Sequence, residues 1–83
     1  MISVGIIGAS GFTGAELLRI CANHPHFEVK YATGDSQAGT LARTLYPSLA
    51  AMYPNLVFEE FELAKATACD VLFLGLQIGR AHV

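Results

Sequence analysis

The residues of this chain whose types and spacing could do chemistry are Gly8-Ala9-Ser10-Gly11-Phe12-Thr13-Gly14, and the chemistry they suit is the gripping of phosphate. Glycines at this spacing let a backbone turn sharply, approach a pyrophosphate closely and pack a new helix against its strand without an intervening Cβ. The phosphates then meet unpaired N–H groups and the positive end of the helix dipole. Ser10 and Thr13 offer hydroxyls that can donate to phosphate oxygens as well. The plainer alternative is a tight strand-to-helix turn that uses glycine for its backbone freedom alone. The two hydroxyls and the flanking pattern favour a nucleotide, although the first gap is one residue longer than in the commonest G-x-G-x-x-G string.

Such a turn needs particular elements around it, and the rest of the chain supplies them. Ile2 to Gly8 is near-continuously apolar, as a central parallel strand covered on both faces requires. In the helix that follows, Gly14, Leu17, Leu18 and Cys21 form one apolar stripe while Glu16, Arg19 and Asn23 face water. Thr13 and Glu16 have the spacing of a capping box, and Pro25 stops the helix. Phe27 to Thr33 reads as a second strand, Leu41 to Leu45 as a short helical turn, and Leu56 to Glu59 as a third strand. Glu62 to Ala68 reads as a short helix, and Val71 to Leu74 as a fourth strand. Alternating strands and helices imply right-handed crossovers, so the expected fold is α/β, a Rossmann-like doubly wound parallel sheet. About four strands, in the order 3-2-1-4, would form its incomplete first half.

Composition narrows the function further. A chain of 83 residues is at most one small domain, and 53% hydrophobic against 14% charged residues is apolar for that size. The expectation is a piece of a longer protein, with part of its apolar surface meant for missing chain. A net charge of −2 carried with scattered basic residues leaves no footprint for nucleic acid or an anionic membrane. The apolar runs fall short of the roughly 20 residues that span a bilayer, and Met1-Ile2-Ser3 lacks a basic leader, so the cytoplasm is the expected location.

The end of the second strand, Thr33-Gly34-Asp35-Ser36-Gln37, is where an acidic residue would meet an adenosine ribose. Asp35 lies near the expected distance but past the strand, among small polar residues suited to a 2′-phosphate; alternatively it caps the loop as an Asx-turn. A strand ending in threonine leans the reading towards NADP. His24 and His26 flank Pro25 without a third metal ligand, so they read as turn residues. Cys21 and Cys69 lack metal-ligand spacing and read as inert thiols. Tyr46-Pro47 and Tyr53-Pro54 read as loop anchors whose rings cover core edges. Glu59, Glu60 and Glu62 read as a solvated strand exit and helix start. The residues themselves name no nucleophile–base pair.

Taken together, Gly8 to Arg19, His24-Pro25, Ala38-Gly39 ahead of Leu45-Tyr46-Pro47, and Asp70 to Leu74 resemble the amino-terminal part of the N-acetyl-gamma-glutamyl-phosphate reductase family. The resemblance covers nearly the whole chain up to Leu76. It implies a step of arginine biosynthesis in which NADPH reduces an acyl phosphate to N-acetylglutamate semialdehyde through a thioester on a cysteine. It also implies cofactor contacts at Gly8, Ser10, Gly11, Phe12, Thr13 and Gly14, with Ser36 near the ribose and Leu76 after the last strand. The family's catalytic residues match no position here, so the chain is expected to bind cofactor without catalysing. Oligomerisation would run through missing chain. A stand-alone nucleotide-binding module and a fragment of a saccharopine-dehydrogenase-like oxidoreductase are the alternatives.

After Leu76 the resemblance breaks, since a Pro-His-Gly-like turn is replaced by Gln77-Ile78-Gly79-Arg80-Ala81-His82-Val83. Ile78 to Val83 can be back-translated into codons that resemble a common sequencing-adapter oligonucleotide, the alternative being a genuine truncated gene with a coincidental tail. Residues 1–77 are therefore expected to form a partial dinucleotide-binding domain, and residues 78–83 a non-native tail.

Overall fold

A computed structural model describes residues 1–75; Leu76 and the tail 78–83 lie outside the described residues. Ile2 opens strand β1, which runs Ile2–Ile7, and the chain then enters helix α1, Phe12–Ala22. Strand β2 spans Phe27–Ala32, and a 3-10 turn at Asp35–Gln37 leads to the short helix α2, Ala42–Leu45. A second 3-10 turn follows at Pro47–Leu49, then helix α3 at Leu63–Thr67 and strand β3 at Val71–Leu74. The three strands form one sheet in the order β2-β1-β3, and both pairings are parallel. An apolar central strand, a helical crossover and a second, parallel strand thus make the β-α-β unit that the sequence pattern implies.

One expected strand is not a strand. Leu56 to Glu59 makes only two isolated bridges, Thr33 with Glu59 in parallel and Leu41 with Val57 in antiparallel sense. The cause is divided loyalty. Glu59 donates its N–H to Ala32 and accepts from Gly34, while Phe58 exchanges hydrogen bonds with Thr40 and Gly39 on the other side. The segment nevertheless lies beside β2, where the order 3-2-1-4 puts it.

The capping box also fails to form. Helix α1 begins at Phe12 with Gly11 as its N-cap and no side-chain cap, so Thr13 lies inside the first turn instead of ahead of it. Glu16 turns to Arg19 on the exposed surface. Strand β1 stops one residue before the expected Gly8, because Gly8 has φ of +79°, a conformation that breaks an extended run.

Between Val4 and Gly5 the register slips: Val4 faces Val29, but Gly5 faces Tyr31, so β2 spends one extra residue on the way. The register and burial place Val4, Ile6, Ala32, Val71 and Phe73 on the face that α1 covers. There Val4, Ile6, Leu18, Ala32, Ala42 and Phe58 are fully buried with Cys21 and Leu49, and Val71 and Phe73 pack against them. Near the start of β1, Ser3 N–H and Oγ both donate to the Asp70 carboxylate, at 2.9 and 3.0 Å. Those bonds hold the Asp70 carboxyl below its ordinary range.

Candidate functional site

The turn between β1 and α1 requires glycine at two positions, Gly8 by its backbone conformation and Gly14 by its contacts. Positive φ selects glycine at position 8. A Cβ on Gly14 would lie 2.3 Å from the Ala9 Cα and 2.6 Å from the Gly8 carbonyl oxygen, both backbone atoms that cannot step aside. Gly11 differs: its φ of −85° and ψ of 177° are ordinary extended values, so its glycine answers to no local strain.

Gly75 joins this cluster from the end of β3. Its N–H donates to the Ile7 carbonyl at 2.7 Å, and a Cβ there would come within 3.0 Å of the Gly8 oxygen and 3.1 Å of the Gly14 Cα. Sequence reasoning passed over Gly75, although a glycine immediately after an apolar strand was the available signal.

The turn is also tied to its neighbours through hydroxyl groups. Gly8 donates its N–H to Thr33 Oγ1 at 2.8 Å, and Ala9 donates to the Thr33 carbonyl at 2.7 Å. Thr33 itself is 2% exposed, so it is a structural link between β2 and the turn and its hydroxyl is not displayed to a ribose. Ser10 Oγ donates to the Gly34 carbonyl at 3.3 Å, and the Ser10 carbonyl accepts from Tyr46 Oη at 2.6 Å. The Ser10 hydroxyl proton thus has an internal partner, leaving the serine's backbone as its clearer means of contacting an anion.

At the mouth of α1 the physical chemistry favours negative charge. The first N–H groups of a helix have no intrahelical acceptor, and among the described residues those of Gly11, Phe12 and Thr13 meet no other. The first turn of α1 carries no acidic side chain that would compete with a bound anion. Phe12 and Thr13 are exposed there, Phe12 at 80%. Ser36 is exposed in the 3-10 turn just past β2, the turn that also contains Asp35. Gly8, Ser10, Gly11, Phe12, Thr13 and Gly14 are therefore contiguous in one turn and Ser36 follows the neighbouring strand, while Leu76 lies outside the described residues. A cradle closed to Cβ atoms, open N–H groups and an uncontested helix terminus fit the pyrophosphate of a dinucleotide.

Other groups of chemical interest are engaged elsewhere. Burial pushes the Cys21 thiol up, and burial with the nearby Asp70 charge does the same to Cys69, which lowers the thiolate fraction of both. His24 stacks on Phe27 with ring centroids 3.9 Å apart, and its Nδ1 accepts the His26 N–H at 3.1 Å. Among the described residues no three His, Cys, Asp or Glu side chains gather as a metal site would need, and no helix is long and apolar enough to cross a membrane.

Residues 3–82 match the family model described as semialdehyde dehydrogenase, NAD binding domain. This chain belongs to that family. Among curated relatives it is 46% identical over 82 residues to N-acetyl-gamma-glutamyl-phosphate reductase of Ectopseudomonas mendocina (strain ymp), an alignment covering 99% of this chain and 24% of the relative. The same enzyme from Pseudomonas aeruginosa (strain UCBPP-PA14) is 43% identical over the same span and shares. A crystal structure of aspartate semialdehyde dehydrogenase with NADP from Candida albicans superposes with a TM-score of 0.80 at 25% identity, covering 98% of this chain and 25% of that one. The chain thus spans about a quarter of the length of the relatives it matches, and the match contains the whole turn.

Proposed function

We propose that this chain is the NADP(H)-binding amino-terminal part of an N-acetyl-gamma-glutamyl-phosphate reductase, which reduces an acyl phosphate to N-acetylglutamate semialdehyde with release of phosphate. The observation that carries the reading is the Gly8–Gly14 turn, where a backbone approach at Gly14 too tight for a Cβ meets an open helix terminus. Relatives sharing more than two-fifths of their residues over the same span support the choice of substrate.

When bound, NADPH would supply the hydride. The chain's own residues bind and orient. Gly11, Phe12 and Thr13 N–H groups would hold the pyrophosphate, Gly8 and Gly14 would let it approach, and Ser36 would lie towards the adenosine ribose. Cys21 and Cys69, with their thiols pushed up, are poorly suited to accept an acyl group, so the reading assigns catalysis to no residue placed here. Residues 1–77 would constitute the first half of the cofactor domain of a cytoplasmic enzyme, and 78–83 a non-native tail that resequencing from adapter-free DNA tests. Any oligomer would form through chain not included in this sequence.

Isothermal titration of the purified chain with NADP+ and NAD+ tests the reading. Saturable binding of NADP+, tighter than NAD+, is expected, and Ser36→Ala should narrow the ratio between them. Failure of either nucleotide to bind at millimolar concentration would sink the assignment of this turn.

A further inference from the structure

We infer that Tyr46 is a positioning residue for the cofactor, acting as a latch that fixes which way the Ser10–Gly11 peptide faces. The inference rests on the proposal that the turn binds a dinucleotide. Its basis is the Tyr46 Oη hydrogen bond to the Ser10 carbonyl, 2.6 Å long and spanning 36 residues of sequence.

In a planar trans peptide the carbonyl of one residue and the N–H of the next point in opposite directions. Holding the Ser10 carbonyl towards Tyr46 therefore aims the Gly11 N–H the other way, at the mouth of α1, where it meets no acceptor among the described residues. A flip of this one peptide would reverse the dipole and present a carbonyl oxygen to the phosphate instead. Such a flip rotates ψ of residue 10 and φ of residue 11, and glycine at position 11 tolerates the positive φ that results. The present conformation of Gly11, with φ −85° and ψ 177°, does not itself demand glycine, so the residue leaves both orientations open. Helix α1 has no side-chain cap to decide between them. The Tyr46 hydroxyl does.

Tyr46 is itself well held. It closes α2, donating its N–H to the Ala42 carbonyl at 2.8 Å, and its own carbonyl accepts from Leu49 at 2.9 Å. Pro47 restricts its backbone to the extended region it occupies, and its ring packs against the core. The second Tyr-Pro pair provides a built-in control. Tyr53 Oη also donates at 2.6 Å to a backbone carbonyl, but to that of Leu18, in the middle of α1 and away from the open N–H groups.

Titration of NADP+ into the wild-type chain, Tyr46→Phe and Tyr53→Phe, with thermal unfolding of each, separates the roles. Tyr46→Phe should weaken NADP+ binding roughly fivefold, the central worth of one net hydrogen bond. Tyr53→Phe should lower the melting temperature and leave the dissociation constant within twofold. In the nucleotide-free state, the Gly11 amide resonance should move or split in Tyr46→Phe and stay in place in Tyr53→Phe. A wild-type measurement guards against a variant that does not fold: inorganic pyrophosphate should shift the Gly11 amide at least as much as those of Phe12 and Thr13. If the wild type binds NADP+ but Tyr46→Phe binds equally well, or both variants weaken it alike, the latch is overturned while the cofactor site stands. A silent Gly11 amide beside responding neighbours overturns the latch too, and a wild-type chain that binds no NADP+ removes the site and the latch together.

Discussion

On the face of the sheet that α1 covers, Val4, Ile6 and Leu18 have no exposure, whereas on the opposite face Leu72 is 42% exposed and Leu74 61%. Strands β1 and β3 present both faces, so the difference lies in what stands over them. One side is filled by α1 and the segments around Ala42, Leu49 and Phe58. The other keeps a crevice of about 510 Å3 bordered by Ser3, Tyr31, Glu59, Lys65 and Cys69. Glycine makes the contrast sharp. Gly14 on the covered side meets rigid backbone, while a Cβ on Gly5 on the open side would meet the Leu72 Cδ2 at 2.7 Å and the Cys69 Sγ at 3.0 Å, both ends of side chains with room to move.

The largest effect expected is that of Leu18→Ala, which empties a fully buried site and should cost about 2–5 kcal/mol in urea unfolding. Gly14→Ala comes next, at about 1–3 kcal/mol from overpacking, because a helix-propensity gain of about 1 kcal/mol does not offset a clash with backbone. It should also abolish NADP+ binding. On the covered side, too, burial and the neighbouring Cys21 push the Tyr53 phenol up to about 12 from an ordinary 10.0. The folded state therefore keeps a proton that the unfolded chain gives up, so stability should be intact below pH 10 and fall as pH rises from there towards 12. Tyr53→Phe should flatten that part of the profile, leaving the limb due to Cys21, whose thiol is raised in the same sense.

On the open face effects should be small. Gly5→Ala should change stability by less than about 1 kcal/mol, the displaced Leu72 tip being offset by a stiffer strand. Leu74→Ala should fall within about 0.5 kcal/mol, as an exposed site does. A Leu74→Ala cost equal to that of Leu18→Ala would break the comparison, since it would mean that the open face is covered in solution.

The covered face was legible in the sequence because helix and strand periods coincide there: Gly14, Leu18 and Cys21 fall on the buried stripe of α1, as their spacing requires. Strand β3 and the order around β1 followed from apolar runs and alternation. Leu56 to Glu59 misled, since β-rich composition does not reveal that two different partners divide its hydrogen bonds. Thr13 and Glu16 misled because the helix opened two residues early, which a spacing rule cannot register. The turn itself was plain, but its supports were not. Thr33, Tyr46 and Gly75 reach it from 25, 36 and 67 residues after Gly8, Ser10 and Gly8 respectively, and of these ties only that of Gly75, directly after an apolar strand, leaves a local signal.

Strand β1 sits between its two partners, yet Val4 pairs with Val71 and Ile7 with Leu74. The ribosome makes this strand before either partner, and its second neighbour comes nearly seventy residues later. At about 5–20 residues per second, the centre of the sheet waits on the order of several seconds for completion, an apolar ribbon with one edge bare. Assembly can proceed outward from β1, with β2 available on one side well before β3 covers the other.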